Sequence, residues 1–434
     1  MNASSVLIAS LLIATSNCSA LLQRDELQNP SPILEALCSL PQKHGGLGMR
    51  SAVRTSPAAY WASVADAIPE IEKRYPQLLE EFKQHLLNPR TAPTSLADAS
   101  QAREILINNG YVNCPTWQDI ANGLRPEMVL ETEPGEWTHG WQFCAASQIE
   151  IKHRSDIMTM MSPSHRALLR SQSNEGAANH ITAIPTCDEL EVENEHFLIF
   201  LLRRLRLPLP YTDRLCNGRS CRRELDQFGD HRAACPRAGR LKKRSVSMER
   251  MVARCFRDAR ARVRTNVYVR DLNVPDVALD DNRHIEVIAE GLPLYHGRQL
   301  AVDAALVSPL TRGGNPRLRS DDVDGAVLKD TATKKRNHYA DVNASRRCHL
   351  LVAGMETGGR WSEEFYKAIL HMAKARSRSA PRLLRKSMTV IRAKRWHNMR
   401  NVTAQRAFAL SLLQNVTPPC SVKDGELPAW SEVI

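Results

Sequence analysis

The sequence predicts an α/β domain that follows a small zinc knuckle and a mostly α-helical N-terminal half. In the first 207 residues, apolar side chains recur at intervals of three and four, which is the period of an amphipathic helix. A compact group of three cysteines and one histidine comes next. Beyond residue 245, short apolar runs alternate with helical patterns, as in α/β folds. A chain of 434 residues is long enough to bury two or three cores.

The helical region, residues 29–207, follows an uncertain N-terminal segment, residues 1–28. Its first helix begins at Ser31-Pro32, a common helix start. Pro69 and Pro76 are expected to break the long pattern of residues 58–87, because proline removes a backbone donor. Further helical patterns cover residues 95–110, 139–161, 163–185 and 195–210.

A zinc knuckle is predicted for residues 208–244. The ligand residues have the spacing C-x4-C-x9-H-x3-C, and they are Cys216, Cys221, His231 and Cys235. Three thiolates and one imidazole suit a tetrahedral structural zinc. Residues 211–240 contain few apolar side chains, so a metal would replace a core there. The other cysteines are scattered, which favours reduced thiols in an intracellular protein.

The α/β domain is predicted over residues 245–378, and a basic helical tail over residues 379–434. A helix over 245–263 precedes short β segments at 264–272, 274–280, 284–294 and 298–310. A helix over 324–339, a buried strand over 348–356 and a helix over 362–377 complete the domain.

The charge distribution favours DNA or RNA as the partner. The formal net charge is +12, but residues 237–270 and 374–400 together carry +20, so the remainder carries −8. Such clustering is typical of a polyanion-binding protein, although solvated helix faces would also produce it. No small-molecule substrate is evident. The candidate phosphate contacts are Arg222, Arg223, Lys242, Lys243 and Arg244.

The first twenty residues bear on whether the protein is intracellular or secreted. The apolar run from Val6 to Ala14 is too short to span a bilayer, so stable membrane insertion is not expected. No Lys or Arg precedes Arg24, whereas a signal peptide begins with a positive segment. An intracellular location is therefore predicted, with secretion through residues 1–20 as the alternative.

The order of these features resembles the C-terminal region of site-specific non-LTR retrotransposon proteins. In that family a CCHC knuckle precedes a restriction-like endonuclease of the PD-(D/E)XK type. The segments "LPQKHGGLGMRSA" and "AAYWASVADAIP" also resemble the helices that follow the palm of the reverse transcriptases of such elements. The resemblance covers roughly Leu40 to Glu364. It implies a fragment or decayed copy of such a protein, a restriction-endonuclease-like fold for residues 245–378 and a nuclear location.

The resemblance also implies a Mg2+ site on adjacent strands. Asp303 is the first candidate, because it interrupts an apolar strand where a buried charge needs a reason. Its partner is either Glu286 or Asp276, and Glu249 on the preceding helix is a candidate third ligand.

The chain departs from the family pattern at one catalytic position. The (D/E)XK motif would place lysine at 305, where this chain has Ala305. The retrotransposon proteins carry their lysine shortly before a tyrosine in the following helix, which Lys334 or Lys335 with Tyr339 matches. Two functions remain open: a Mg2+-dependent DNA endonuclease, and a catalytically inactive zinc-dependent nucleic-acid-binding module.

Overall fold

The computed structural model describes residues 31–88, 90–126, 140–210, 215–216, 218, 221–272, 274–275 and 277–413. These residues form two compact units. One is helical and comprises residues 38–41 and 47–160; the other contains the sheet and the knuckle. The helices up to residue 160 are α1 (Pro32–Ser39), α2 (Ala52–Arg74), α3 (Pro76–Leu87), α4 (Thr94–Asn108), α5 (Trp117–Ala121) and α6 (Trp141–Met160).

The core of the helical unit is built around Trp61. This side chain on α2 is fully buried, and the rings of Tyr111, Trp117 and Trp141 lie with their centroids 5.6–6.2 Å from it. Aromatic side chains bury large apolar areas, and tilted or edge-on pairs are favourable. These tryptophans therefore anchor the core, as the apolar spacing predicts.

The expected helix break at Pro69 is wrong. Helix α2 continues through Pro57 and Pro69 to Arg74, and only Pro76 separates it from the next helix. Burial of Trp61 and Ile68 on one face of α2 offsets the hydrogen bond lost at Pro69. Pro76 occupies the first turn of α3, where a missing N–H costs little.

The sheet-containing unit has a mixed four-stranded sheet with helices on both faces. The sheet is small because it has only four strands among the described residues, each of seven to nine residues. Its elements are α7 (Pro163–Gln172), α8 (Asn179–Thr182), α9 (Asn194–Arg204), α10 (Asp230–Ala234), α11 (Arg240–Asp258), β1 (Arg262–Tyr268), β2 (His284–Glu290), β3 (Gln299–Val307), α12 (Ala326–His338), α13 (Ala340–Ala344), β4 (Cys348–Glu356), α14 (Glu363–Ser377) and α15 (Arg385–Leu413).

The strand order is β1-β2-β3-β4. Strands β1, β2 and β3 pair antiparallel, and β4 pairs parallel to β3 after the crossover through α12 and α13. Side chains of alternate residues enter opposite layers. Val302 packs with Phe256 of α11 and Phe365 of α14, whereas Ala301 packs with Tyr339 and Val342 on the other face. Asp303, two residues beyond Ala301, therefore belongs to the α12–α13 face.

The predicted short strand at residues 274–280 is wrong for the residues that the structure describes. Those residues form turns and irregular backbone between β1 and β2. Pro275 has no backbone N–H to contribute to a ladder, which disfavours a strand there.

Two segments belong to the sheet-containing unit although the sequence pattern sets them apart from it. Residues 161–207, predicted as part of the helical region, cluster with the sheet. Helix α15, predicted as a basic tail, packs on α11 and α14 and buries Trp396, Met399 and Phe408. Both segments supply apolar side chains to the core of this unit, where they cover the sheet and the helices packed on it.

Candidate functional site

The four predicted zinc ligands come together. Their donor atoms all lie within 4.8 Å of one another. Cys235 Sγ is 3.9 Å from Cys216 Sγ and 3.8 Å from Cys221 Sγ, and Cys221 Sγ is 3.4 Å from His231 Nε2. Tetrahedral zinc with Zn–S distances of about 2.3 Å separates its sulfurs by about 3.8 Å. The donor set and its spacing therefore fit a metal ion such as Zn2+.

The first two cysteines lie on a turn that the backbone holds closed. Cys216 donates its backbone N–H to Arg223 O at 2.8 Å, and the N–H of Cys221 donates to Gly218 O at 2.9 Å. The N–H of Gly218 also donates to Cys216 Sγ at 3.4 Å. These bonds bring the two thiol groups to one side of the turn.

The other two ligands come from α10. His231 lies in α10 and Cys235 follows its last residue, a spacing of about one helical turn. Asp226 accepts the N–H groups of Asp230 and His231, which satisfies donors at the start of the helix. Gly229, with φ of 78°, makes the left-handed turn into α10.

The tautomer of His231 suits metal binding through Nε2. Its Nδ1 lies 3.1 Å from the carbonyl oxygen of Arg312. A carbonyl can only accept, so Nδ1 carries the proton and Nε2 keeps its lone pair directed at the thiols. Arg312 lies in the loop after β3, and no motif in the sequence points to this contact.

The strand acids form a second cluster. The register of β2 on β3 pairs Val287 with Val302, and one step further it places Glu286 opposite Asp303. Asp303 is 1% exposed. Glu286 Oε2 accepts the backbone N–H of Ala304, next to Asp303. Facing residues on one side of antiparallel strands have Cβ atoms about 5 Å apart, so the two carboxyl groups are neighbours.

Lys335, and not Lys334, contacts the acids. Lys335 Nζ lies 2.7 Å from Asp303 Oδ1 and 2.8 Å from Oδ2. The side chain of Lys334 is 69% exposed and its ammonium pairs with Asp330 at 2.6 Å. Lys335 thus brings a cation from α12 to the acid cluster, although residue 305 is alanine.

Electrostatics couple Glu286 to its neighbours. Burial, together with the negative charge of Asp303, raises the pKa of Glu286 to about 8. The N–H of Ala304 and the ammonium of Lys335 act in the opposite direction. Glu249 on α11 also raises this pKa, which places its carboxyl group within electrostatic reach. Two adjacent carboxylates of this kind favour a cation between them.

Tyr339 closes the cluster at the C-terminal end of α12. Its hydroxyl donates to the carbonyl of His284 at 2.7 Å. Burial raises the pKa of Tyr339, and the charges of Asp303 and Glu286 raise it further. Tyr339 is therefore a neutral donor that holds α12 on β2.

A cavity of about 570 Å³ lies beside these groups. Pairing of β1 with β2 is interrupted at Asn266, which has φ of 52° and which the register places opposite Glu286. Local breaks of this kind redirect side chains next to functional sites. The cavity is lined by Lys242, Ser245, Glu249, Asn266, His284, Glu286 and Tyr339, among others.

Asn266 and His284 were not among the predicted site residues. The alternation of β2 places His284 on the same face as Glu286, and this was readable from the sequence. No pattern in the sequence predicts the left-handed backbone conformation of Asn266. Asp276, the alternative partner of Asp303, lies outside the described residues.

The predicted phosphate contacts separate into two groups. Arg222, Arg223, Lys242 and Lys243 are exposed. Arg244 is instead buried: it donates to Ala233 O at 2.8 Å and lies 5.5 Å from the ring centroid of Phe408. On α11 its side chain points into the interior, so it cannot reach a phosphate. Arg232 of the knuckle is buried likewise and donates to Leu412 O.

Within the described ranges no helix combines the length and apolarity needed to cross a bilayer. A scan against protein-family models found no match for this chain, and neither did a search of curated proteins.

Proposed function

We propose that this chain is a nucleic-acid-binding protein of retrotransposon origin whose sheet domain is a Mg2+-dependent DNA endonuclease. The observation that carries the proposal is the contact of Lys335 with both oxygens of Asp303, directly beside Glu286. Two carboxyl groups and one lysine on a sheet–helix framework are the groups that phosphodiester hydrolysis needs.

In this proposal Asp303 and Glu286 hold the metal, and Glu249 is the third carboxyl group at the cavity. Mg2+ prefers oxygen ligands and, when bound, supplies an acidified water and neutralises charge on the phosphate. The ammonium of Lys335 donates to Asp303, and it would orient the attacking water. Tyr339 fixes the helix that carries Lys335.

The basic residues support the substrate class. Lys242 lies on the wall of the cavity, about two helical turns from Glu249 on α11. Lys243, Arg222 and Arg223 are exposed as well. A phosphodiester backbone bound by these cations would bring one phosphate to the acids. Chromosomal DNA as the substrate would place the protein in the nucleus.

The knuckle has a structural role in this proposal. Zn2+ held by Cys216, Cys221, His231 and Cys235 would replace the apolar core that this segment lacks. Its order before a basic helix and acid-bearing strands is the arrangement of the retrotransposon proteins, and this order supports the proposed origin.

The alternative is a catalytically inactive binding module. Ala305 at the family's lysine position favours it. In that case the strand acids are remnants of an ancestral nuclease, and the knuckle and exposed cations retain the binding function.

A nicking assay on supercoiled plasmid separates the two. The wild-type chain should nick DNA in Mg2+ or Mn2+, and Asp303→Asn should abolish nicking while the Kd for DNA changes by less than about threefold, because exposed cations carry the affinity. Asp330→Asn, an exposed acid on the same helix as Lys335, is the matched control and should nick normally. DNA binding without nicking by the wild-type protein in either metal would establish the inactive module.

A further inference from the structure

An aromatic cluster lies at the exposed edge of the sheet. Tyr268 ends the edge strand β1 and is 37% exposed, and His284 begins β2 and is also exposed. Their ring centroids are 5.0 Å apart with the planes at 75°. The guanidinium carbon of Arg270 lies 4.3 Å from the ring centroid of Tyr268. Two aromatic rings and a cation thus share one surface.

The cluster adjoins the acids. Tyr268 and His284 are register partners in the β1–β2 ladder. His284 is two residues before Glu286, so the two side chains are on one face of β2 about 7 Å apart. The side chains of His284 and Glu286 both line the 570 Å³ cavity. A ligand that reaches the acid cluster along β2 therefore passes the aromatic pair.

The three side chains hold one another in place without forming part of the core. The rings of His284 and Tyr268 meet edge to face, and the Arg270 guanidinium lies over the Tyr268 ring in a cation–π contact. Arg270 also donates to Asn282 Oδ1 at 3.3 Å, which limits its freedom. A planar, electron-rich ligand could extend this stack at little further cost in side-chain entropy.

We infer that Tyr268, His284 and Arg270 form a stacking site for an unpaired nucleobase next to the scissile phosphate. This inference rests on the proposed function and narrows its substrate to DNA with at least one unpaired base at the acid cluster, a state that negative supercoiling makes accessible in a plasmid. In a continuous duplex the bases are stacked on one another, so their faces cannot reach Tyr268. Stacking on aromatic side chains is how proteins bind single strands without reading sequence.

The test uses the purified full chain and an oligonucleotide that carries one 2-aminopurine, whose fluorescence is quenched by stacking. The single-stranded probe should bind, be quenched and bind more tightly than the same sequence in a duplex. Tyr268→Leu should weaken single-strand binding by about tenfold or more and relieve the quenching, since one base–aromatic stack contributes that much. Tyr268→Phe should retain both properties, because it keeps the ring.

Tyr75→Leu is the matched control, since Tyr75 is exposed in the helical unit and should have no effect. Equal binding of single strand and duplex, with no effect of Tyr268→Leu, overturns the stacking site whether or not the protein nicks plasmid. Tyr268-dependent quenching in a protein that never nicks DNA supports the stacking site, while the endonuclease proposal fails.

Discussion

The burial of Asp303 and its ion pair set the chemistry of the acid cluster. A buried carboxylate without a partner is costly, and here the ammonium of Lys335 compensates it at 2.7 Å. The cation comes from another element, α12, and reaches Asp303 although residue 305 is alanine.

The two neighbouring lysines provide a direct comparison. Lys335→Met should reduce plasmid nicking by about 100-fold or more, because it removes the cation beside the reacting groups. Lys334→Met should nick at the wild-type rate, since its side chain is 69% exposed and its ammonium pairs with Asp330. Initial nicking rates at saturating DNA measure both. Equal loss in the two variants would contradict the role of Lys335.

Glu356 predicts a pH-dependent stability. Burial raises the pKa of this carboxyl from its usual 4.5 to about 7; Arg360 opposes the rise from 3.8 Å, and the charge of Asp324 adds to it. The folded state therefore binds a proton more tightly than the unfolded state. The stabilisation that Glu356 contributes is fully present below pH 4.5 and is lost as the pH rises to 7.

The variant Glu356→Gln should remove this dependence. Between pH 5 and pH 8 the wild-type Tm should fall relative to that of the variant, by the equivalent of about 1–3 kcal/mol. Glu363→Gln, an exposed acid nearby, should follow the wild type. Thermal unfolding in a series of buffers is the measurement, and parallel curves for wild type and Glu356→Gln would contradict the argument.

At the scale of elements, we expect the stability of the knuckle to depend on a bound metal ion. Residues 211–240 contain few apolar side chains of their own, so we expect one equivalent of zinc per chain, with chelation lowering the Tm. Cys216→Ser should reduce the stoichiometry to well below one, whereas Cys187→Ser, outside the cluster, should leave it unchanged. Elemental analysis decides between them. Metal-free wild-type protein of unchanged Tm would rule out a structural zinc.

Helix α15 is a component of the core and not a dispensable tail. Trp396 is 3% exposed and packs in the cluster that covers the sheet. Trp396→Ala should therefore reduce the free energy of unfolding by about 3–5 kcal/mol. Arg395→Ala, one residue earlier and exposed, should change it by less than about 0.5 kcal/mol. Urea unfolding of the two variants tests this, and similar costs would contradict the packing of α15.

At the scale of the whole molecule, the excess positive charge is only partly available to a ligand. Arg244, Arg232 and Arg400 lie in the interior, so formal charge overstates the binding surface. Replacing both Lys242 and Lys243 by glutamine should make the plot of the logarithm of the DNA-binding constant against the logarithm of the salt concentration less steep, by about 1–2 in slope. Titrations at several salt concentrations measure this slope. Lys73→Gln in the helical unit should leave it unchanged, and an unaffected slope in the double variant would exclude these lysines as contacts.

The sequence alone determined the parts of this protein that depend on local spacing. Cys216, Cys221, His231 and Cys235 are readable as a motif, and in the structure they come together as a group that could hold a metal ion. Most helices follow from an apolar period of 3.6, and β3 and β4 follow from continuous apolar runs. The apolar run of β3 also identified Asp303 as a charge in an apolar strand.

Only the tertiary structure decided which side chains meet. Residues 303 and 335 are 32 positions apart, and their contact depends on how α12 crosses the sheet. The burial of Arg244 and the role of α15 in the core likewise depend on packing between distant elements. Local patterns in the sequence predict the period of an element and the face that it buries. The partner against which that face packs is set by long-range contacts, which the spacing of residues along the chain does not encode.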